Sequence, residues 1–101
     1  MKIQELRKII ERYISNREVN NEFETKLFWD ESFKILSEDL NFTIDYLNTC
    51  DSEEFEVISE IFDDLSEHFK SQKLINCMEE NAIRTDVDCK IDIEYAKMNL
   101  K

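Results

Sequence analysis

The stretch SEEFEVISEIFDDLSEHF, residues 52–69, decides the fold, because its apolar side chains recur every three or four positions. This spacing predicts an amphipathic helix with one side turned to a core. Asp51 precedes the stretch and Glu54 follows three residues later, which fits a capping box and starts the helix at Asp51 or Ser52. The predicted inward stripe consists of Phe55, Ile58, Ile61, Phe62, Leu65 and Phe69.

The chain before this stretch shows the same helical spacing of apolar residues. The pattern predicts one helix over residues 3–14 and a continuous helix over residues 29–47. The polar residues 15–22 are predicted to form a loop between them. Residues 23–28 either extend the second helix backwards or form a short helix of their own.

Two further helices complete the predicted fold. Ser71 is a candidate cap for the first of them, and a short terminal helix is predicted near residues 92–100. The sequence therefore predicts an all-α protein with about five amphipathic helices in a compact bundle or a short helical superhelix. An α+β fold is the alternative, because residues 40–46 and 86–95 alternate apolar and polar side chains and would pair into a small sheet.

The composition agrees with helices. The chain has 101 residues, which fits a single helical domain over residues 1–101. It contains neither glycine nor proline, and tight β-turns depend on those residues. Their absence also excludes glycine-rich phosphate-binding loops and dinucleotide-binding fingerprints.

The formal net charge of −11 is unevenly distributed along the chain. Residues 1–17 hold five bases and two acids, a net charge of +3, whereas residues 18–67 hold two bases and sixteen acids, a net charge of −14. Residues 68–101 hold six of each and balance. So acidic a surface disfavours binding to nucleic acid or to an anionic membrane, and it favours a basic protein partner.

Part of this acidic charge is predicted to form one face of the helix over residues 52–69. On a helical wheel six carboxylates fall within about 100° of arc, opposite the apolar stripe, and they extend for about 21 Å. Their mutual repulsion costs about 1–3 kcal/mol, which a cationic partner would recover; an ordinary solvated face is the alternative interpretation. The predicted binding face consists of Glu53, Glu56, Glu60, Asp63, Asp64 and Glu67.

No catalytic or metal-binding pattern is present in the sequence. His68 is the only histidine, and Cys50, Cys77 and Cys89 show no paired spacing, so we expect no metal, no cofactor and no enzymatic activity. The odd number of cysteines, with no signal peptide and no apolar run of about 20 residues, predicts reduced thiols and a cytoplasmic protein. Trp29 is predicted to anchor the core, and a role as an interface hot spot is the alternative.

Three blocks of the sequence resemble a known family. They are WDESFKIL at residues 29–36, EEFEVISEIFDDLSEHFKSQKLINCMEENA at residues 53–82 and DIEYAKMNL at residues 92–100. Together they look like the small immunity proteins of bacterial contact-dependent growth inhibition and related polymorphic toxin systems. The positions that carry the likeness are Trp29, Asp30, Glu31, Phe62, Ser71, Ile75, Cys77, Ala82, Asp92, Ile93, Glu94, Tyr95 and Ala96.

This resemblance implies an all-helical domain made beside a toxin, which binds the toxin tightly and blocks its active site. Such toxins are frequently nucleases, including ribonucleases of the pancreatic type. The hypothesis is therefore an immunity protein, monomeric when free, that neutralises a basic toxin in the bacterial cytoplasm, with a ribonuclease favoured. The resemblance supplies no binding residues, so the predicted interface rests on the helical wheel alone. In this prediction the toxin's cationic groove is covered by Glu56, Glu60, Asp63 and Glu67, with Glu53 and Asp64 beside them.

Two other classes of binding protein fit the same sequence. An acidic mimic of nucleic acid would bind several unrelated basic proteins, such as host DNA-binding proteins, whereas an immunity protein binds one cognate toxin. A helical adaptor would hold a partner helix through exposed apolar residues, and its binding would survive high salt.

Overall fold

Helices make up all the regular secondary structure of residues 2–17 and 22–100, the residues that the computed structural model describes. A 3-10 turn, Ser59–Ile61, joins the helix over residues 52–58 directly to the helix over residues 62–69, so the described residues form six helical segments. The all-α prediction is confirmed, and the predicted number of about five helices is too low. The α-helices are α1 (Lys2–Asn16), α2 (Glu22–Leu36), α3 (Leu40–Thr49), α4 (Ser52–Ile58), α5 (Phe62–Phe69), α6 (Gln72–Thr85) and α7 (Lys90–Met98).

The sixth helical segment is present because residues 29–47 do not form the one continuous helix that was predicted. The chain leaves α2 after Leu36 and starts again at α3, whose cap is Asp39 in an extended conformation. The Asp39 carboxylate accepts hydrogen bonds from the backbone N–H groups of Asn41, at 2.8 Å, and Phe42, at 3.2 Å. Asp39 thus satisfies the first free amides of α3, as a capping residue does.

The alternative α+β fold is also wrong for the described part of the chain. Residues 40–46 lie in α3, and residues 90–95 lie in α7, after a short connection that lacks strand pairing. In α3 the buried residues Thr43, Ile44 and Leu47 follow the helical period, which outweighs the period-two alternation.

Both predicted helix starts are confirmed. Asp51 accepts a hydrogen bond from the Glu54 amide at 2.8 Å, and the Glu54 carboxylate accepts one from the Asp51 amide at 3.5 Å, which completes the capping box of α4. Ser71 caps α6 by accepting from the Leu74 amide at 3.2 Å. These caps act within one turn of sequence, so they can be predicted without the rest of the fold.

The loop predicted over residues 15–22 is shorter than expected on its first side, because α1 continues through Asn16. Residues 18–21 of that prediction lie outside the described residues. The predicted terminal helix near residues 92–100 is observed as α7, about two residues earlier.

The buried apolar side chains form one core cluster to which all seven α-helices contribute. Tyr13 of α1 stacks on Phe28 of α2, with ring centroids 4.2 Å apart, and α3 packs on α6. α5 packs against α7 and also contacts α2. Trp29 is 42% exposed, so its predicted role as a core anchor is wrong. The exposed side of α5 and its two neighbours carries the candidate site.

Candidate functional site

The α4 half of the predicted acidic face is partly neutralised by the protein itself. Arg17, which follows α1, places its Nη2 atom 3.1 Å from Oε1 of Glu56. Glu54 of the same helix faces α1 as well, with its Oε2 atom 3.6 Å from Nε of Arg7 and 2.8 Å from the Tyr46 hydroxyl. Glu53 is exposed in the first turn and forms no ion pair with a described residue. The basic charge of α1 therefore compensates α4.

The 3-10 turn separates α4 from α5 and changes the direction of the side chains that follow. A 3-10 helix advances by about 120° per residue, compared with about 100° in an α-helix, so three residues add about 60°. The Ser59 hydroxyl donates a 2.5 Å hydrogen bond to the Glu56 carbonyl inside this turn. The six predicted carboxylates therefore do not lie along one uninterrupted α-helix.

Glu60, in the 3-10 turn, is bound by groups of the protein itself. Its Oε1 atom accepts hydrogen bonds from the Tyr13 hydroxyl at 2.9 Å and from Trp29 Nε1 at 3.0 Å. Burial, and then the hydrogen bond to Glu60, raise the pKa of Tyr13. Burial and the charge of Glu60 likewise raise the pKa of Asp92 in α7. Glu60 thus orients the Trp29 indole and also adds negative charge near the start of α7.

An open groove of about 370 Å³ lies between α2 and α5. His68 closes one part of it, since its Nε2 atom lies 2.9 Å from the Ser37 carbonyl; a carbonyl only accepts, so Nε2 carries the hydrogen and donates. The imidazole also packs edge-on against Phe33 and Phe69, with centroids 5.8 and 4.8 Å away. The groove is lined by Trp29, Asp30, Phe33, Asp64, Glu67 and His68.

The carboxylates around this groove lack cationic partners. Within residues 2–17 and 22–100 no salt bridge reaches Asp30, Asp64 or Glu67. Partial burial, followed by the charges of Asp63 and Glu67, raises the pKa of Asp64. Asp63 accepts a 2.8 Å hydrogen bond from Asn99, a neutral donor that leaves the negative charge in place. The α5 half therefore keeps uncompensated negative charge beside an exposed indole.

The structure divides the six predicted residues into separate groups. Asp63, Asp64 and Glu67 lie together on α5, and Glu60 lies in the 3-10 turn that precedes α5. The remaining two, Glu53 and Glu56, lie on α4 beside Arg17. An interface role for Trp29 was only the alternative to a core anchor, and Asp30 was not predicted as part of the site. A large aromatic residue followed by an acid is a signal that could have marked both.

The three cysteines do not form a site with His68. Cys50, Cys77 and Cys89 are buried free thiols, and burial raises the pKa of Cys50 and of Cys89 to about 11. Such thiols stay protonated at neutral pH, when thiolate is the form that reacts or binds metal. Among the described residues no group of three or more His, Cys, Asp and Glu side chains is arranged to hold a metal ion.

Comparison of the chain with models of protein families, with curated proteins and with solved structures finds no match in any of the three. The likeness to immunity proteins therefore stays a hypothesis. In the part of the chain that the structure describes, no helix combines the length and the apolar content needed to cross a bilayer.

Proposed function

We propose that this chain is an immunity protein that binds a cognate basic toxin domain in the bacterial cytoplasm and covers the toxin's active site. The observation that carries the proposal is the groove between α2 and α5, where three carboxylates that form no ion pair with a described residue line the same surface as the exposed indole of Trp29. The sequence resemblance to immunity proteins points to the same class of partner.

The chemistry of this groove suits a cationic surface. Tryptophan is enriched among the residues that dominate binding energy at protein interfaces, and Glu60 holds its indole in one orientation before any partner arrives. Lysine and arginine side chains of a partner would pair with Asp30, Asp64 and Glu67. The net charge of −11 would accelerate the encounter with a basic protein.

A nuclease, and a ribonuclease in particular, is the favoured class of toxin. Enzymes that cleave nucleic acid present Lys and Arg to the phosphates of their substrate, so their clefts attract carboxylates. The 3-10 turn offsets the carboxylates of α4 from those of α5 by about 60°, which suits one particular cleft better than the even spacing of phosphates. This offset favours one cognate toxin over general mimicry of nucleic acid.

The test is binding and protection against the protein encoded by the adjacent gene. The site variant combines Asp30→Asn, Asp64→Asn and Glu67→Gln, the three groove carboxylates. The control combines Glu5→Gln, Glu11→Gln and Glu80→Gln, which are exposed on α1 and α6. Each triple change moves the formal net charge from −11 to −8, because three acids are removed. Affinity is measured by calorimetry at several salt concentrations, and growth protection by coexpression.

We expect the site variant to bind about tenfold to hundredfold more weakly, to lose protection and to depend less on salt. The control should stay within about threefold of the wild type. Equal weakening of the two variants would show that only net charge matters and would remove the groove assignment. No complex between the wild type and the neighbouring protein would refute the proposed function itself.

A further inference from the structure

The exposed tryptophan of the groove is connected to α1 by hydrogen bonds that pass through Glu60. The Trp29 Nε1–H group donates to Oε1 of Glu60 at 3.0 Å, and the Tyr13 hydroxyl donates to the same oxygen at 2.9 Å. Tyr13 lies in α1, Trp29 lies in α2, and Glu60 lies in the 3-10 turn between α4 and α5. One carboxylate oxygen therefore joins three separate elements of the fold.

Tyr13 is fixed at the inner end of this connection. Its side chain is 8% exposed, and its ring stacks on Phe28 with an angle of 4° between the ring planes. Burial and the hydrogen bond to Glu60 raise the pKa of Tyr13, and a hydrogen bond with Thr25 of α2 acts in the opposite direction. A donor to the phenol oxygen has this opposite effect, because it stabilises the phenolate. The Tyr13 hydroxyl therefore accepts from Thr25 while it donates to Glu60.

Trp29 lies at the outer end of the connection, where it is 42% exposed. The indole has a single polar group, the Nε1–H donor, and Glu60 already accepts from it. The rest of the exposed ring offers carbon atoms to a partner. A side chain that is free to change rotamer loses this freedom on binding, which weakens the complex. A hydrogen bond that restricts the indole beforehand removes part of that loss.

Glu60 differs from the three groove carboxylates in what it bonds to. Asp30, Asp64 and Glu67 line the groove and form no ion pair with a described residue. The Oε1 atom of Glu60 instead accepts from two neutral donors of the protein itself. Neutral donors need an acceptor oxygen and not a negative charge, so an amide oxygen at the same position would also satisfy them.

We infer that Tyr13 and Glu60 are positioning residues of the proposed binding surface, which act on the partner through the orientation of Trp29. This inference rests on the proposed function and gives α1 a part in it, although the sequence that resembles immunity proteins begins only at Trp29. It also changes the role that the helical wheel gave to Glu60. Instead of a charge across the toxin's groove, Glu60 is the acceptor that holds the indole.

Two substitutions of Glu60 separate the acceptor from the charge. Glu60→Gln and Glu60→Met each remove one negative charge, and both new side chains have a similar length and a similar helix propensity. Only Gln keeps a strong acceptor, and the Trp29 N–H group, which can only donate, turns the carbonyl oxygen of Gln toward itself. A difference between these two variants therefore measures the acceptor alone.

The first measurement needs no partner, because the chain contains a single tryptophan. Its indole N–H gives one signal in a proton–nitrogen NMR spectrum, and its fluorescence anisotropy decay reports the local motion of the ring. We expect hydrogen exchange of the indole N–H to be about fivefold faster in Glu60→Met than in Glu60→Gln, with more local motion of the ring. Identical exchange and motion in the two variants would overturn the inference, since the acceptor would then have no hold on Trp29.

The second measurement is the affinity of the same variants for the purified protein encoded by the adjacent gene. We expect Glu60→Met to bind about tenfold more weakly than Glu60→Gln, and Tyr13→Phe to bind about threefold more weakly than the wild type. Tyr13 offers almost no surface to a partner, so its loss acts through Glu60 and Trp29. Far-UV circular dichroism checks that each variant stays helical.

A double-variant cycle shows whether Glu60 acts through Trp29. Trp29→Phe keeps an aromatic ring and removes the N–H donor, so Glu60→Gln and Glu60→Met should bind equally well in that background. A difference that persists there would show that residue 60 acts by another route and would overturn the inference. Equal affinities of the two variants when Trp29 is present would assign the effect to charge alone and would overturn it as well.

These outcomes are distinct from a failure of the proposed function. Weak binding by the site variant described above, alongside equal affinities of Glu60→Gln and Glu60→Met, would leave the proposed function intact and show that the inference is wrong. No binding by the wild type would refute the proposed function, and with it the part of Tyr13 and Glu60 in binding.

Discussion

α4 and α5 belong to one run of sequence and carry the same kinds of residue, yet the fold treats their charges differently. Glu56 of α4 is paired with Arg17, and Glu54 faces Arg7. On α5 the carboxylates of Asp64 and Glu67 form no ion pair with a described residue. The difference arises because α1, the basic part of the chain, packs against α4, where Arg7 and Arg17 reach the carboxylates.

This comparison shows why an acidic run cannot be interpreted from its own sequence. A helical wheel gives the direction of each side chain relative to its own helix, and it contains no information about which neighbour lies opposite. Charge that is compensated within the fold offers little to a partner. The proposed binding surface is therefore placed on the α5 half of the run, whose Asp64 and Glu67 form no ion pair with a described residue.

The first way to test this comparison is to ask whether α4 and α5 share one core despite their different surfaces. Phe55 of α4 and Phe62 of α5 are fully buried and meet edge to face, with centroids 5.4 Å apart. Phe55→Ala and Phe62→Ala should each lower the free energy of unfolding by about 3–5 kcal/mol. Because the rings touch, the double variant should lose less than the sum.

Urea unfolding followed by far-UV circular dichroism measures these losses. A cost below about 1 kcal/mol for Phe62→Ala alone would show that α5 is not held by the common core. Additive losses would show that the two rings do not interact as the structure has them.

The inward side of this run was predictable, because burial of an apolar stripe depends on spacing within one helix. Five of the six stripe residues are buried, and Phe69 is partly buried. The buried side of the second helix was harder to predict from the sequence. Trp29 was predicted to be in the core, whereas the buried residues of α2 are Phe28, Ser32 and Leu36.

The buried side of α2 was not predicted because it contains Ser32. A serine counts as polar in a sequence pattern, but its hydroxyl donates a 2.5 Å hydrogen bond to the Phe28 carbonyl and is satisfied inside the core. Trp29 was thereby turned outward, into the groove. The contact between Arg17 and Glu56 joins residues 39 apart in sequence, and no local pattern predicts such a pair.

The second test of the comparison between α4 and α5 concerns how the first turn of each helix is stabilised. α4 begins with the Asp51 capping box, whereas α5 follows the 3-10 turn and has no side-chain cap. Asp51→Ala should lower the free energy of unfolding by about 1 kcal/mol, because the first amides of α4 lose their acceptor. Hydrogen exchange should accelerate at the Glu54 amide and stay unchanged in α5. Glu53→Ala, in the same turn but outside the cap, is the control.

Loss of protection that spreads equally through α4 and α5 would contradict this expectation. It would show that the two helices open as one unit and that the 3-10 turn does not separate them.

The third test has the smallest expected effect and measures how the negative charge of Asp64 on α5 changes the free energy of unfolding. The pKa of Asp64 is raised by burial and by Asp63 and Glu67, so the folded protein holds this proton more tightly than the unfolded chain does. Ionisation of Asp64 therefore destabilises the fold above its ordinary pKa of 3.8, and this penalty disappears below it. Asp64→Asn should raise the free energy of unfolding at pH 7 by no more than about 0.5 kcal/mol, because solvent screens an exposed group.

Urea unfolding of the wild type and of Asp64→Asn at pH 7 and near pH 3 measures this difference, which should vanish at the lower pH. The matched change on α4, Glu56→Gln, should instead slightly lower stability at pH 7, since it breaks the pair with Arg17. A stabilising Glu56→Gln together with a destabilising Asp64→Asn would reverse the comparison. It would mean that the dipole at the start of α5 compensates Asp64 more effectively than Arg17 compensates Glu56.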